Sequence, residues 1–119
     1  MGYAFLMSAA DEVLDLSQLL AAFGEIDDDV RKMMRIFIET TEPILDELEA
    51  RVASRDRAGV EDLAHSAKGA ARSAGARTMA AACEALEKAA EAGDWGEVER
   101  KLPAVRPTFV AAKAAIASL

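Results

Sequence analysis

The chain contains a single histidine, His65, and the residues after it suit chemistry on an imidazole ring. Successive residues of a helix are rotated by about 100°, so Lys68, Gly69 and Arg72 share one stripe with His65. The opposite stripe is apolar and consists of Val60, Leu63, Ala67, Ala70 and Ala74. His65 is therefore predicted to face water, where a large partner could reach it.

Four roles are open for an exposed histidine in this setting. The plainest is an ordinary surface residue, which composition alone does not exclude. A metal site is disfavoured, because a metal centre in a helical bundle needs several inward carboxylates and two Glu-x-x-His pairs, whereas only Glu61 and Asp62 precede His65. Acid-base or acyl-transfer catalysis needs an orienting partner in a cleft, and the sequence reveals none. The remaining role is that of a nucleophile, because neutral imidazole can attack phosphorus.

Lys68 and Gly69 support the nucleophile interpretation. From one turn along the same face, the Lys68 ammonium is expected to reach the oxygens of a phosphoryl group on His65 and to screen their charge. Gly69 costs a helix about 1 kcal/mol relative to alanine, and steric clearance for a partner would explain its presence. Taken alone, Lys68 and Arg72 indicate only a solvated helix face, but their placement beside His65 favours a role in the reaction.

The overall composition favours a single helical domain. The 119 residues are 52% hydrophobic, with seven glycines and only three prolines, and this length suits one domain with a substantial core. The formal charge of -7 would repel a phosphate backbone, so nucleic acid is not expected as a partner. No apolar run reaches the roughly 20 residues of a membrane span, and residues 1–7 lack the basic start of a signal peptide. We therefore expect a cytoplasmic protein that makes no membrane contact.

Apolar positions spaced three and four residues apart predict one short helix and four long ones. The short helix spans about residues 17–23 and ends at Gly24. Its apolar side consists of Leu16, Leu19, Leu20 and Phe23. The long helices are expected over about residues 27–54, 58–74, 77–92 and 94–119. Pro43 should kink the first of them, and Pro103 and Pro107 should either kink or split the last. Cys83, the only cysteine, lies on an apolar helix face and is expected in the core.

These segments predict an all-α fold, an antiparallel up-down four-helix bundle with a short additional N-terminal helix. Residues 14–119 are assigned to the bundle, and residues 1–13 to an N-terminal extension that is expected to be partly frayed. The inward stripe predicted for the first long helix is Val30, Met33, Met34, Phe37, Thr41, Ile44, Leu48 and Val52. The alanines of the histidine helix would let its neighbours approach closely and would hold the backbone near His65 stiff.

Several short motifs surround the histidine. They are Ala64-His65-Ser66-x-Lys68-Gly69, Gly75-Ala76, Cys83-x-x-Leu86-Glu87 and Ala92-Gly93-Asp94. Together with the preceding proline-containing helix, these motifs resemble those of the histidine-containing phosphotransfer (HPt) family of two-component phosphorelays. The resemblance covers about residues 14–119. The family usually has larger apolar residues where Ala67 and Ala74 stand, but every residue of the phosphotransfer motif is present.

The resemblance implies that Nε2 of His65 accepts a phosphoryl group from the aspartate of one receiver domain and passes it to the aspartate of another. The partners would be receiver domains of a hybrid sensor histidine kinase and of a response regulator. The chain would be a monomeric phosphocarrier without ATP-dependent kinase activity and without a bound cofactor or metal, because the catalytic Mg²⁺ would come from the receiver. A second hypothesis is a non-phosphorylated adaptor bundle that binds receiver domains or other signalling proteins.

A docking surface should combine apolar contact near His65 with a charged rim. Ile36 is the apolar candidate because it lies well off the inward stripe of its helix, although an isolated surface isoleucine explains it equally well. The other candidates lie on or near the histidine face, and they are Ala64, Ser66, Arg72 and Ser73.

Overall fold

A computed structural model describes residues 12–119, so the predicted N-terminal extension lies almost entirely outside the described residues. The described part contains a short helix and four long ones. They are α1 (Leu16–Phe23), α2 (Asp28–Ala53), α3 (Arg57–Ala74), α4 (Arg77–Glu91) and α5 (Trp95–Ala117). Each long helix packs against the next, and α5 closes against α2. Because only short turns join them, successive long helices are antiparallel, and the predicted all-α four-helix bundle with a short additional helix is confirmed.

Aspartate side chains determine where most of the helices begin. Each carboxylate accepts a hydrogen bond from the backbone N–H three residues on, which satisfies one of the free donors of the first turn. The four pairs are Asp15 with Gln18, Asp27 with Val30, Asp56 with Gly59 and Asp94 with Glu97. At its other end α3 stops at Gly75, whose φ of 78° is left-handed and suits glycine. The predicted helix ends agree with the structure to within about two residues.

The three prolines do not break their helices. Pro43 lies inside α2, and Pro103 and Pro107 lie inside α5, yet both helices run without interruption. A proline leaves one carbonyl of the preceding turn without its helical donor. Buried side chains on either side, such as Leu48 after Pro43 and Phe109 after Pro107, keep each helix in the core. The alternative of a split last helix is thereby excluded.

Apolar side chains of the four long helices meet along the bundle axis. Phe37 of α2 and Phe109 of α5 lie with their ring centroids 6.2 Å apart and their planes tilted by 57°, within the usual range for an aromatic pair. The largest fully buried side chains are Phe109, Leu19, Leu45, Leu48, Met79 and Leu86. This core fixes the orientation of α3, and therefore of His65.

The rotation of α3 about its own axis differs from the predicted one. Its buried stripe is Val60, Ala64, Ala67, Ala71 and Ala74. Leu63 and Ala70, which were predicted to point inward, are only half-buried, whereas Ala64 is completely buried. Alanines occur all around this helix, so hydrophobicity alone does not decide which of them face the core. The contacts with α2 and α4 decide it.

Helix α2 shows a similar difference. Met33 was predicted to be buried but is exposed. Ile44 was also predicted to be buried but is half-buried, and the next residue, Leu45, is buried instead. The other predicted inward positions of α2 are buried. The exposure of Met33 places a second large apolar side chain on the same stretch of surface as Ile36.

Helix α1 is fastened over the turn between α3 and α4. The Asp15 N–H donates to the Gly75 carbonyl at 2.8 Å, and the Gln18 side-chain amide donates to the Arg72 carbonyl, also at 2.8 Å. Arg77 lies 3.5 Å from the Asp15 carboxylate. Leu19 is the one residue of the predicted apolar side of α1 that is buried. Helix α1 contacts the bundle along one side only, so its other apolar side chains stay in contact with solvent. The exposed members are Leu16, Leu20 and Phe23.

Candidate functional site

His65 lies in the middle of α3 and points away from the core. Its side chain is 69% exposed, which confirms the predicted exposure. The neighbouring Ala64 and Ala67 are completely buried and seat the helix against the bundle. The imidazole is therefore presented on a rigid element from which a partner can reach it.

A single carboxylate on α4 connects the histidine to the lysine one turn further along α3. One oxygen of Glu87, Oε2, lies 2.8 Å from His65 Nδ1, and the other, Oε1, lies 2.6 Å from Lys68 Nζ. Glu87 and Lys68 are largely sheltered, with side chains only 11% and 13% exposed. Among the described helices, α3 and α4 have the most extensive contact, and this contact brings the three side chains together.

The contacts of Glu87 keep its carboxyl ionised. Burial raises the pKa of this group, but the hydrogen bonds from Lys68 and His65 and the positive charge of Lys68 together outweigh burial and hold the pKa below its usual range. An ionised carboxylate can only accept hydrogen bonds, so the proton of the neutral imidazole resides on Nδ1. The lone pair of Nε2, on the outer side of the ring, is thereby left available, and Nε2 makes no hydrogen bond with any of residues 12–119.

The position of Lys68 corrects the sequence-based expectation. Lys68 was predicted to lie on the solvated face, one turn from His65, with its ammonium within reach of a phosphoryl group on the histidine. Instead it turns toward α4 and forms an ion pair with Glu87, because a carboxylate sheltered between two helices requires a cation. Lys68 thus contacts the group that orients His65.

Glu87 is the functional residue that the sequence reasoning missed. It appeared in one of the motifs around the histidine, but no orienting partner for His65 was identified. A signal was present, since Glu87 lies one position after the buried Leu86 and one turn after Cys83, on a helix predicted to pack antiparallel to α3. A glutamate beside an inward-facing stripe is partly buried, and a buried charge is costly unless it is paired with an opposite charge. Lys68, on the neighbouring helix, could supply that charge.

Gly69 adjoins the histidine and faces open space. A Cβ atom added at this position would have no heavy atom within 4 Å, apart from its own helix backbone. The packing of residues 12–119 therefore does not require a glycine here. That Gly69 provides clearance for a partner stays a prediction, with which the open space is consistent.

The remaining candidates for partner contact fall into two groups. Ser66, Arg72 and Ser73 are exposed on α3, and Arg72 lies 3.6 Å from Glu84 of α4. Ala64 is completely buried, so the prediction that it lines a contact is wrong; the rotation of α3 that exposes His65 turns the preceding residue inward.

An apolar groove runs between α2 and the second half of α3. Ile36 and Met33 on its α2 side are 48% and 46% exposed, which is high for large apolar side chains. Ala70 and Ser73 line it on the α3 side, five and eight residues after His65. The groove encloses about 220 Å³.

Cys83 lies in the core beneath the carboxylate, as predicted. Burial, and to a smaller extent the charge of Glu87, outweigh the opposing charge of Lys68 and raise the pKa of its thiol to about 12. The thiol is therefore protonated at neutral pH and is a poor nucleophile.

Residues 12–119 contain no group of three or more His, Cys, Asp or Glu side chains that could hold a metal ion. None of the helices in this part is long and apolar enough to cross a membrane.

Comparison with known protein families agrees with the site. The family model of the Hpt domain matches residues 32–118, which include α3, α4, α5 and most of α2. The chain therefore belongs to the Hpt domain family, and it has the histidine phosphotransfer role in phosphorelays that this family has in general. Hpt domains are phosphocarriers and not kinases, and they interact with receiver domains of kinases and response regulators. No match is found among curated proteins or among solved structures.

Proposed function

We propose that His65 accepts a phosphoryl group from the aspartate of one receiver domain and passes it to the aspartate of another. In the first transfer the bond between phosphorus and the aspartyl oxygen breaks, a carboxylate leaves, and a bond forms between phosphorus and Nε2 of His65. The second transfer is the reverse of this step with a different receiver. The observation that carries the proposal is the contact of Glu87 with Nδ1, which leaves Nε2 as the exposed nucleophilic atom.

Glu87 and Lys68 support this step in different ways. As Nε2 forms its new bond, positive charge develops on the imidazole, and the Glu87 carboxylate at Nδ1 stabilises that charge. Lys68 is a positioning residue, because its ammonium holds the second oxygen of Glu87. Direct contact between Lys68 and the phosphoryl group would require the ammonium to leave Glu87.

The receiver domain would supply the metal ion for the transfer. In the proposal the chain binds no cofactor, and the Mg²⁺ ion that stabilises the transferred group is held by the receiver domain. The histidine has to enter the acidic pocket of the receiver, and the open space at Gly69 would admit the rim of that pocket. The chain would act as a monomer, because one histidine on one bundle suffices for each transfer.

The apolar groove beside His65 would be the main docking contact. Ile36 and Met33 offer the exposed apolar area that the centre of a protein interface usually contains. Ser66, Arg72 and Ser73 would surround it with polar and charged contacts. Ile36→Asp is expected to weaken transfer from a receiver while leaving the fold intact, since Ile36 is half exposed.

The alternative is an adaptor bundle that binds receivers without being phosphorylated. It gains no support from the site, because an adaptor has no need for a glutamate that orients the histidine ring. Incubation of the chain with a receiver domain labelled on its aspartate separates the two functions. Relay function predicts an acid-labile, base-stable label on the wild-type chain and none on His65→Gln. Binding of the receiver without any transfer of label would establish the adaptor function instead.

A further inference from the structure

A second groove lies between α2 and α5, on a different face from the histidine. It encloses about 340 Å³ and is lined by Arg31, Arg35 and Ile38 of α2 and by Lys113, Ile116 and Ala117 of α5. Helices α2 and α5 pack least closely among the neighbouring pairs of the bundle, which leaves this seam open. The histidine helix α3 packs against α2 and α4, so α5 lies diagonally across the bundle from it.

Both sides of the groove carry cationic side chains, and no Asp or Glu among residues 12–119 lines it. Arg31 pairs with the fully exposed Asp28 and donates from Nε to the Leu119 carbonyl oxygen at 2.9 Å. Lys113 lies 3.6 Å from Glu42 at the edge of the groove. Arg35 forms no ion pair with any of residues 12–119. The three cations of the groove outnumber the two carboxylates that pair with them, in a chain with a formal charge of -7. A negatively charged ligand is the complement of such a surface.

The floor between the two cationic sides is apolar. Ile116 is largely buried at the bottom of the groove and Ile38 is half-buried beside it. A small hydrophilic anion would leave this floor unused, and a flat anionic membrane could not enter a concave seam. An amphipathic helix with acidic flanks would place its apolar stripe on the isoleucines and its carboxylates near Arg35 and Lys113.

We propose that the groove between α2 and α5 binds an acidic amphipathic helix of a partner protein. Because it lies on a different face from His65, the site could be occupied while a receiver is docked at the histidine. The proposal does not rest on the proposed function, since none of its residues touches His65, Glu87 or Lys68.

The test uses the full ¹⁵N-labelled chain and a synthetic helical peptide that has leucines one turn apart and glutamates on both flanks. Amide shifts are followed by NMR as the peptide is added to millimolar concentration. A matched peptide has glutamine at every glutamate. The expected result is a saturable shift at Ile38 and Ile116, with binding of the glutamine peptide about ten-fold weaker.

Charge reversal in the chain gives the second arm. The double variant Arg35→Glu with Lys113→Glu is expected to weaken binding by about ten-fold, because two favourable charge pairs become repulsive. Lys32→Glu is the matched control, since Lys32 is an exposed neighbour on α2 that does not line the groove; its effect should stay within about two-fold. Circular dichroism melts of all variants verify folding.

Four results would overturn the proposal. The first is the absence of shifts at Ile38 and Ile116 at millimolar peptide. The second is equal binding of the acidic and the glutamine peptide. The third is a loss of binding in the Lys32 control as large as in the double variant. Concentration-dependent self-association of the chain through the same residues would likewise assign the groove to a second copy.

Discussion

Replacing Gly69 by alanine is expected to stabilise the protein, because Gly69 lies in the interior of α3 where no internal contact requires it. A Cβ atom there meets no heavy atom within 4 Å, so the substitution introduces no clash. The difference in helix propensity between the two residues is about 0.8–1.0 kcal/mol in a helix interior. For a domain of 119 residues this corresponds to a rise in Tm of about 3–5 °C.

Leucine at the same position should separate stability from function. Leucine is a good helix former, so Gly69→Leu should also raise Tm, but its side chain would occupy the space beside His65 that a receiver has to enter. We expect phosphoryl transfer from a labelled receiver to fall by at least about ten-fold, equivalent to roughly 1.4 kcal/mol of lost docking energy. Ala104→Leu is the matched control, because it adds the same side chain at an exposed position of α5, across the bundle.

Urea or thermal unfolding and a transfer time course on the same samples provide the assay. A lower Tm for Gly69→Ala would show that the open space at Gly69 does not exist in solution. Wild-type transfer by Gly69→Leu would show that glycine is not needed for clearance. If Ala104→Leu slowed transfer as much as Gly69→Leu, the slowing would come from a leucine anywhere on the surface and not from its position beside His65.

The remaining predictions concern the residues around His65. Lys68→Met should lower the free energy of unfolding by about 1–3 kcal/mol and slow transfer. Added to Glu87→Gln, it should slow transfer little further. If the two effects on the transfer rate were fully additive, Lys68 would not act through Glu87. Because the pKa of Glu87 is lowered in the folded state, its stabilisation is present above the ordinary glutamate pKa and is lost as pH falls through the lowered value. Urea unfolding from about pH 6 to about pH 3 should therefore show the stability advantage over Glu87→Gln shrinking with acidification, and a constant difference would contradict the lowered pKa. The Cys83 thiol should react with a maleimide only after unfolding, and rapid labelling of the native chain would contradict its burial.

Much of the fold follows from local sequence signals. The aspartates at positions 27, 56 and 94 and the glycines at positions 24, 75 and 93 mark helix ends, and they are local chemistry that a single sequence displays. The exposure of His65 also followed from spacing, since its stripe carries polar residues and the opposite one does not. Both predictions agree with the structure.

The site itself depends on contacts between helices, which periodicity within one helix does not encode. The ion pair between Lys68 and Glu87 requires the register of α3 against α4, and that register is set by how closely their small side chains let the two helices pack. In the same way, the burial of Ala64 and the exposure of Met33 reflect small rotations of α3 and α2. An alanine-rich helix carries too weak a hydrophobic contrast to predict a rotation of this size.

The identity of the phosphorylated atom tests the central claim, that Glu87 holds Nδ1 of His65 and leaves Nε2 to take the phosphoryl group. The measurement is a long-range ¹H–¹⁵N correlation spectrum of the histidine ring, with ³¹P coupling, after transfer from a phosphorylated receiver to the ¹⁵N-labelled chain. The account predicts that phosphorus is bonded to Nε2 of His65 and that Nδ1 carries the proton. Phosphorus on Nδ1, or a receiver that transfers its label to any residue other than His65, would contradict it.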